Sequence, residues 1–288
     1  MKYAFVAEHT VQFAVRTMCR VLAISRSGYY EWLSRGPSRR VQQDAGLIQA
    51  IYRVHLASGR AYGALKTWRT LQAQGIRCGK HRVARLRKAV GIETQRSRRF
   101  RQRRTYTSCL PEPNLLQGCF NVAAPNRVWA GDISYIRTGT GALNLAVLID
   151  LYSRRVVGWS LSPNPDERLV SAALAMALRQ RQPHPGLVHH TDQGAVYRAQ
   201  TYRNMLQAHQ IRQSLSAKGN PYDNAVVESF FSTLKNELVH HRKFVSREEA
   251  HAEIRRYIEV FYNRQRIHQA LGYQTPVQAD RCPQIGVR

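Results

Sequence analysis

Apolar residues recur at helical spacing through the N-terminal third of the chain. Residues 12–33 predict two short helices around a tight turn, with Ser25 placed to cap the second helix. Residues 44–56 predict a third helix, and residues 62–92 predict a second two-helix unit. This succession indicates small all-helical modules, the first of which has a helix-turn-helix pattern. Such pairs contact DNA in many proteins and only pack against a neighbour in many others.

The pattern changes near residue 125, where β-branched and aromatic residues replace the helical spacing. Three strands follow one another directly, and helices then alternate with two more strands. The predicted strands span residues 127–137, 143–153, 154–162, 187–192 and 212–216, and the predicted helices span residues 166–181, 198–209 and 222–239. A three-stranded meander that leads into alternating helices and strands is the layout of a ribonuclease-H-like fold. We therefore predict an α/β core with a mixed five-stranded sheet and flanking helices.

Composition divides the chain into five parts. After the second helical unit, six arginines fall between Arg96 and Arg104 and two prolines follow, which predicts a cationic linker. Residues 246–271 predict further helices, with Ser246 and Glu249 as a capping box. The predicted domains are two helical modules, a basic linker, the α/β core and a C-terminal helical extension, at residues 1–40, 41–94, 95–124, 125–240 and 241–288.

The chain is strongly basic, with a formal net charge of +26, and the charge is uneven along it. Residues 1–104 carry a net charge of +19, and the remaining residues carry +7. A positive electrostatic field attracts nucleic acid through the phosphates of that partner, and it says little about the fold of the protein. From charge alone, the alternative is a ribosomal or other generally basic protein. The asymmetry indicates DNA-holding modules followed by an enzyme-like domain.

The sequence lacks features of membrane and secreted proteins. It contains no run of about 18 apolar residues, so we expect no transmembrane helix, and its N-terminus is a poor signal peptide. The five cysteines are scattered and form no C-x-x-C pair, which argues against a zinc site and against a disulfide framework. We therefore expect a cytoplasmic protein.

Three acidic residues lie within predicted structure: Asp132 in the first strand, Asp192 at the end of the fourth, and Glu228 in the long helix. A charged carboxylate in a central strand is costly unless it is paired or binds a cation, and clustered carboxylates raise one another's pKa. Oxygen ligands favour Mg²⁺ or Mn²⁺, and two such ions can activate a nucleophile and stabilise a leaving 3′ oxygen. Taken singly, the two aspartates are also explained as turn residues, and Glu228 as a solvent-facing helix residue.

Motifs along nearly the whole chain carry a family resemblance. They are MCRVLAISRSGYYEW, YGALKTWRTLQAQGI, KHRVARLRKAVGI, PNRVWAGDISYI, LAVLIDLYSRRVVGW, HHTDQGAVY, SLSAKGNPYDNAVVESFFSTLKNEL and YIEVFYNRQRIHQALGYQTPVQ. The chain resembles the second-reading-frame transposases of bacterial two-frame insertion sequences, which have an integrase-type catalytic core. The 35 residues between Asp192 and Glu228 are highly specific in this context.

The resemblance implies an activity and its residues. Asp132, Asp192 and Glu228 would be catalytic and would bind Mg²⁺ or Mn²⁺, with two ions in each active site. The enzyme would cleave at the ends of an insertion sequence and transfer a 3′-OH into DNA by transesterification. Lys235 fills the family's basic position seven residues after the glutamate, where it shares a helix face with Glu228 and could hold a phosphate. A plain surface lysine is the alternative.

Further residues are candidates for DNA contact. Four residues before the long helix could grip DNA or serve as loop and cap residues, namely Lys218, Asn220, Tyr222 and Asn224. The remaining candidates are cationic or lie in the Y-N-x-x-R-x-H stretch that matches the family, namely Arg26, Arg82, Arg85, Arg98, Arg99, Arg101, Arg103, Arg104, Arg266 and His268. The helix over residues 80–92 is expected to expose its arginines, including Arg87, and to lack an acidic partner.

Asp150 is a rival carboxylate, which lies in an apolar strand. We prefer to explain it as a strand-end aspartate that is tied to Ser153 or Arg154. His189 and His190 precede Asp192 and are expected to be structural or to contact phosphate, rather than to bind a metal.

The expected partners are double-stranded DNA, as element terminal repeats and as target, and further copies of the chain, since two DNA ends must meet. The resemblance adds the first-frame product, or a frameshift fusion to it, and a nucleoid-associated location in a bacterium. Three alternatives stay open: a nuclease of the same fold that uses only water, a noncatalytic DNA-binding regulator, and an inactive copy of an element.

Overall fold

The computed structural model of the protein describes residues 1–95, 122–216 and 225–281. The described helices are α1 (Lys2–Glu8), α2 (Val15–Val21), α3 (Arg26–Ser34), α4 (Arg39–Ala57), α5 (Ala64–Ala73), α6 (Lys80–Ala89), α7 (Glu167–Arg181), α8 (Ala195–Arg198), α9 (Gln200–Ala208), α10 (Ala225–Glu237), α11 (Arg247–Arg256) and α12 (Pro276–Arg281). The strands are β1 (Val128–Thr138), β2 (Gly141–Asp150), β3 (Val156–Ser162), β4 (Val188–Thr191) and β5 (Arg212–Leu215). Within these ranges, no helix is long and apolar enough to cross a membrane.

The first three helices pack around a small core of their own. Val6, Met18, Cys19 and Tyr29 are buried together there. The predicted two-helix unit corresponds to α2 and α3, and Ser25 caps α3 as expected, because its hydroxyl accepts a hydrogen bond from the Gly28 amide at 3.2 Å. Helix α1 was not predicted from the sequence, because residues 3–7 form one continuous apolar run without the alternating apolar and polar positions of an amphipathic helix.

Helices α4, α5 and α6 form a second small core. Helix α4 begins at Arg39, earlier than the predicted residue 44, because the Ser38 hydroxyl caps it by accepting from the Val41 amide at 3.3 Å. The C-terminal part of the chain packs against this module through Phe261 and Ile267. The Tyr62 hydroxyl links the two parts, since it donates to the Gln265 carbonyl at 3.1 Å and accepts from the Ile267 amide at 2.8 Å.

The sheet has five strands in the order β3-β2-β1-β4-β5. Strands β1, β2 and β3 form an antiparallel meander, whereas β4 pairs in parallel with both β1 and β5. This mixed sheet with flanking helices confirms the predicted fold. The predicted helix over residues 198–209 corresponds to α9, and the short helix α8, which was not predicted, precedes it; the two meet at the extended residue Ala199.

The two faces of the sheet carry separate cores, as strand alternation requires. On one face, Val128, Ala130 and Ile136 of β1 pack with α10, α11 and the π-helical turn Tyr257–Tyr262. On the other face, Trp129 packs with α7 and α9. The even-numbered positions of β1 therefore point towards α10, and this alternation determines where the acidic residues lie.

Candidate active site

Asp132 lies on the face of β1 that is covered by α10. It continues the even-numbered series of Val128 and Ala130, which pack in the same core as Val227 and Phe230 of α10. The side chain is half-buried, and one carboxylate oxygen accepts a hydrogen bond from the Ile133 amide at 2.7 Å. A carboxylate is thus held at the edge of an apolar core, beneath the long helix.

The strand register brings Asp192 beside Asp132. Strands β1 and β4 are parallel, with Ala130 opposite His190, so the residues two positions further on are Asp132 and Asp192. Neighbouring strands lie about 4.8 Å apart, and both side chains point to the same face. Asp192 follows the end of β4, is exposed, and accepts a hydrogen bond from the Gly194 amide at 3.0 Å.

Helix α10 supplies Glu228 and Lys235 to the same place. The helix packs on the sheet through Val227, Phe230, Phe231 and Leu234. Glu228 and Lys235 are seven residues apart, almost two full turns, so they lie on one side of the helix. Both side chains are half-buried.

Asp192, Glu228 and Lys235 each lie close enough to Asp132 to affect its pKa. Burial, together with the negative charges of Asp192 and Glu228, raises the pKa of Asp132 to about 7, while the Ile133 amide and Lys235 act in the opposite direction. Burial lowers the pKa of Lys235, and the charge of Asp132 opposes that shift. The structure therefore brings together the four residues that the sequence singled out.

Buried aromatic residues support the site from the opposite face of the sheet. His189 is bonded to the Tyr202 hydroxyl at 2.7 Å and to the Trp129 carbonyl at 3.3 Å, and burial lowers its pKa to about 4. The Cβ of a larger residue at position 131 would lie 2.9 Å from the His189 ring, so any side chain before Asp132 would force that buried ring to shift. His189 is thus a neutral structural residue, as expected, whereas the role of Gly131 was missed.

Three family models match the chain. Two integrase core domain models match residues 122–221 and residues 209–276, and a model of an HTH-like domain matches residues 42–100. The uncharacterized 31 kDa protein of insertion element IS600 from Shigella sonnei is 42% identical over 260 residues, covering 90% of this chain and 96% of that protein. Transposase InsF for insertion sequence IS3A from Escherichia coli (strain K12) is 41% identical over 281 residues, covering 96% and 98%.

The chain belongs to the insertion-sequence transposases. Solved structures also resemble it. The catalytic core domain of HTLV-2 integrase in complex with magnesium is 18% identical, with a TM-score of 0.43, and covers 55% of this chain and 97% of that one. The simian T-cell lymphotropic virus intasome in complex with the PP2A regulatory subunit B56 gamma is 16% identical, with a TM-score of 0.49, and covers 76% and 75%.

Two arginines that were predicted to face DNA have an acidic partner in the transposase. Arg82 and Arg85 of α6 both bond to Asp44 of α4, at 2.7 and 2.8 Å. Arg87 was expected to be exposed, but it is buried and donates to the Thr67 hydroxyl at 3.1 Å. The expectation that this helix lacks an acidic partner is therefore wrong. Arg82 and Arg85 brace two helices, and their role in DNA contact remains a prediction.

The two candidates in the Y-N-x-x-R-x-H stretch are also held inside the protein. Arg266 donates to both carboxylate oxygens of Glu237, at 2.8 and 2.9 Å, with 12% of its side chain exposed. His268 packs edge-on against Tyr262, and burial together with Arg266 lowers the pKa of its ring to about 2. Asn263 of the same stretch is buried and bonds to the backbone of Val156 at 3.0 Å. These contacts make the stretch a structural clamp.

Asp150 is the structural residue that we preferred. It is fully buried, accepts from the amide and hydroxyl of Ser153 at 2.8 and 3.0 Å, and accepts from the Asn126 amide at 2.6 Å. Arg26 is the exposed first residue of α3. The other DNA candidates lie outside the described residues, namely Lys218, Asn220, Tyr222, Asn224, Arg98, Arg99, Arg101, Arg103 and Arg104.

Proposed function

We propose that this transposase cleaves and joins DNA by phosphoryl transfer, with Asp132, Asp192 and Glu228 as the carboxylates that bind divalent cations. The observation that supports this proposal most directly is the half-buried Asp132, whose ionised form is disfavoured by burial and by two neighbouring carboxylates. A fold does not keep such a cluster for stability, because a like-charged group costs free energy that a cation would recover.

The donor set fits Mg²⁺ or Mn²⁺. All three side chains offer carboxylate oxygens, which these hard cations prefer over nitrogen or sulfur. In residues 1–95, 122–216 and 225–281, no three His, Cys, Asp or Glu side chains already stand together as a metal site. We propose two ions in each site.

The bound cations would activate the attacking hydroxyl and stabilise the leaving oxygen. The residues of the chain would position the reacting groups of the DNA. Lys235 of α10 lies beside Asp132 of β1 and would hold a DNA phosphate against the carboxylates. The 3′-OH of the element end would lose its proton to solvent and attack a phosphorus of the target strand in line. A new P–O bond forms while the bond from that phosphorus to the target strand's own 3′ oxygen breaks, and the released oxygen takes up a proton from solvent. No covalent bond between protein and DNA is required.

The partners follow from this reaction. Two element ends must be joined to one target, so we propose a dimer or larger assembly on DNA, with the first-frame product or its fusion as a further partner. The HTH-like domain and the positive charge would hold the DNA. We expect the protein at the bacterial nucleoid.

The test is strand transfer with a labelled duplex that carries an element end, in the presence of Mg²⁺. Wild type should give joined products, whereas Asp192→Asn and Glu228→Gln should lower joining by at least a hundredfold while DNA binding survives. Glu93→Gln, which removes an exposed carboxylate far from the site in sequence, is the matched control and should join normally. Joining by either active-site variant at the wild-type rate would refute the assignment. Binding by wild type without joining, even as the first-frame fusion, would favour a noncatalytic regulator.

A further inference from the structure

A cationic cavity lies on another side of α10. It has a volume of about 460 Å³ and is lined by residues from four separate parts of the chain. Lys66 comes from α5, Arg154 from the turn between β2 and β3, and Arg266 and His268 from the C-terminal segment. The fold therefore brings basic groups that are distant in sequence to one opening.

The described residues that line this cavity include three cations, Lys66, Arg154 and Arg266, and no carboxylate. Glu237 pairs with Arg266 outside that lining, and Arg266 already occupies both of its oxygens. The nearby Asp150 already accepts from Ser153 and from the Asn126 backbone.

In the described part of the chain, neither Lys66 nor Arg154 forms an ion pair with a carboxylate. Burial lowers the pKa of Lys66 to about 8, and the positive charge of Arg266 acts in the same direction. Burial likewise lowers the pKa of Arg154. Glu237 opposes the shift of Lys66 and Asp150 opposes that of Arg154, but among the described residues neither cation has a carboxylate within ion-pair distance. Partly buried cations that lack an ion pair are costly, so the cavity favours an anion.

Helix α10 adds neutral donors to the same cavity. Ser229 and Thr233 lie one turn apart and both line it. At 100° per residue, they project about 100° and 140° away from Glu228 around the helix. An anion between them and Arg154 would lie on the order of 10 Å from the active-site carboxylates, about the width of one helix with its side chains.

The turn between β2 and β3 fixes the position of Arg154 at the cavity. The φ of Arg154 is +59°, in the left-handed region that glycine and asparagine favour. The turn is held by a hydrogen bond that the Arg154 amide donates to the Asp150 carbonyl at 2.8 Å. The side chain of Arg154 lines the cavity.

We propose that this cavity binds a phosphodiester group of DNA, with Lys66, Arg154, Ser229 and Thr233 as the contacts. The inference deepens the proposed function and rests on it for the identity of the DNA as substrate. A DNA strand held here would run beside α10. The helix would then help to bind the metal ions on one side and the DNA backbone on another.

The first arm of the test measures DNA binding in EDTA, where the active-site carboxylates have no cation. The affinity for a short labelled duplex of arbitrary sequence is followed against salt concentration. Each phosphate contact contributes about 0.9 to the slope of log K against log salt. The double variant Lys66→Gln, Arg154→Gly should lose roughly 0.9 from that slope, the value for one phosphate, and should bind roughly tenfold more weakly at low salt. An unchanged slope in the folded variant would overturn the proposal.

The second arm uses inorganic phosphate alone. Phosphate should raise the thermal midpoint of wild type, and this shift should be clearly smaller in the double variant. Arg60→Gly is the matched control, because Arg60 also has a left-handed backbone, with φ of +63°, and is exposed outside the cavity. It should keep the full phosphate shift. A phosphate shift of wild-type size in the double variant would show that the anion binds elsewhere and would overturn the proposal.

The single variant Arg154→Gly distinguishes a loss of DNA binding from simple unfolding. Because glycine suits the left-handed backbone, Arg154→Gly alone should unfold at the wild-type temperature or above, while it weakens DNA binding. Loss of strand transfer in Asp192→Asn with an unchanged salt slope would leave both proposals standing. Normal transfer in that variant, together with a reduced slope in the cavity variant, would refute the catalytic assignment and retain the cavity.

Discussion

The carboxyl of Asp132 should make the metal-free protein less stable as the pH rises. The perturbation that tests this is Asp132→Asn, which removes the charge and keeps the shape. The amide oxygen of asparagine can still accept the hydrogen bond that the Ile133 amide donates at 2.7 Å. The substitution therefore changes the ionisation of one group on the face of β1 beneath α10 and leaves its packing in place.

The magnitude follows from the two pKa values. The pKa of Asp132 is about 7 in the folded protein, against an ordinary value of 3.8 for an unfolded chain. Between these values, the unfolded state is ionised while the folded state holds a proton, so stability falls by at most 1.36 kcal/mol per pH unit. The loss is complete above pH 7. From pH 5 to pH 8 the upper bound is about 2.7 kcal/mol, and partial exposure reduces it to about 1–2 kcal/mol.

The assay is urea unfolding in EDTA at pH 5 and at pH 8. The unfolding free energy of Asp132→Asn minus that of wild type should be about 1–2 kcal/mol larger at pH 8 than at pH 5. Glu93→Gln, at an exposed position, should show no such pH dependence. An equal difference at the two pH values, or a larger benefit at pH 5, would refute the argument that burial and the two neighbouring carboxylates disfavour the charge of Asp132.

Three further predictions concern packing and pairing. Arg266→Leu should destabilise the protein by about 3–5 kcal/mol in urea, because it leaves Glu237 unpaired, and adding Glu237→Gln should recover most of that loss. Gly158→Ala should cost about 1–3 kcal/mol or more, since its new methyl group would lie 2.2 Å from the Ala173 carbonyl oxygen, whereas Gly46→Ala, with open space around it, should gain about 0.5–1 kcal/mol. Tyr62→Phe should cost about 1–3 kcal/mol and speed hydrogen exchange at the Ile267 amide; wild-type exchange there would contradict this.

The strands of the sheet could be predicted because each is marked by a pattern of apolar residues within a short stretch of sequence. Alternation and apolar runs located all five strands, and the order of elements indicated the meander. The face on which Asp132 lies also follows from alternation, once Ala130 is known to be buried. Element ends were less predictable, since α4 begins at Arg39 through a serine cap that the apolar pattern does not show.

Charge pairing could not be predicted in the same way, because partners that are close in space are distant in sequence. Arg82 has no acidic neighbour along its own helix, yet Asp44 of α4 lies 2.7 Å away. Arg266 likewise meets Glu237, 29 residues earlier in the chain. A cationic pattern on a helix therefore indicates exposure only when the neighbouring helices are known to lack carboxylates. The same limit hid the cavity around Arg154, whose lining comes from separate elements.

Helix α10 separates two electrostatic imbalances of opposite sign. On one side, Asp192 and Glu228 raise the pKa of Asp132, so this side favours a cation. On another side, Lys66 and Arg154 line a cavity that favours an anion. Each imbalance costs stability in the free protein, and each would be relieved by one component of a complex between protein, metal and DNA. Because α10 contributes Glu228 to one side and Ser229 and Thr233 to the other, occupying one side would hold the helix in position for the other. We therefore expect Mg²⁺ and DNA to bind with positive coupling.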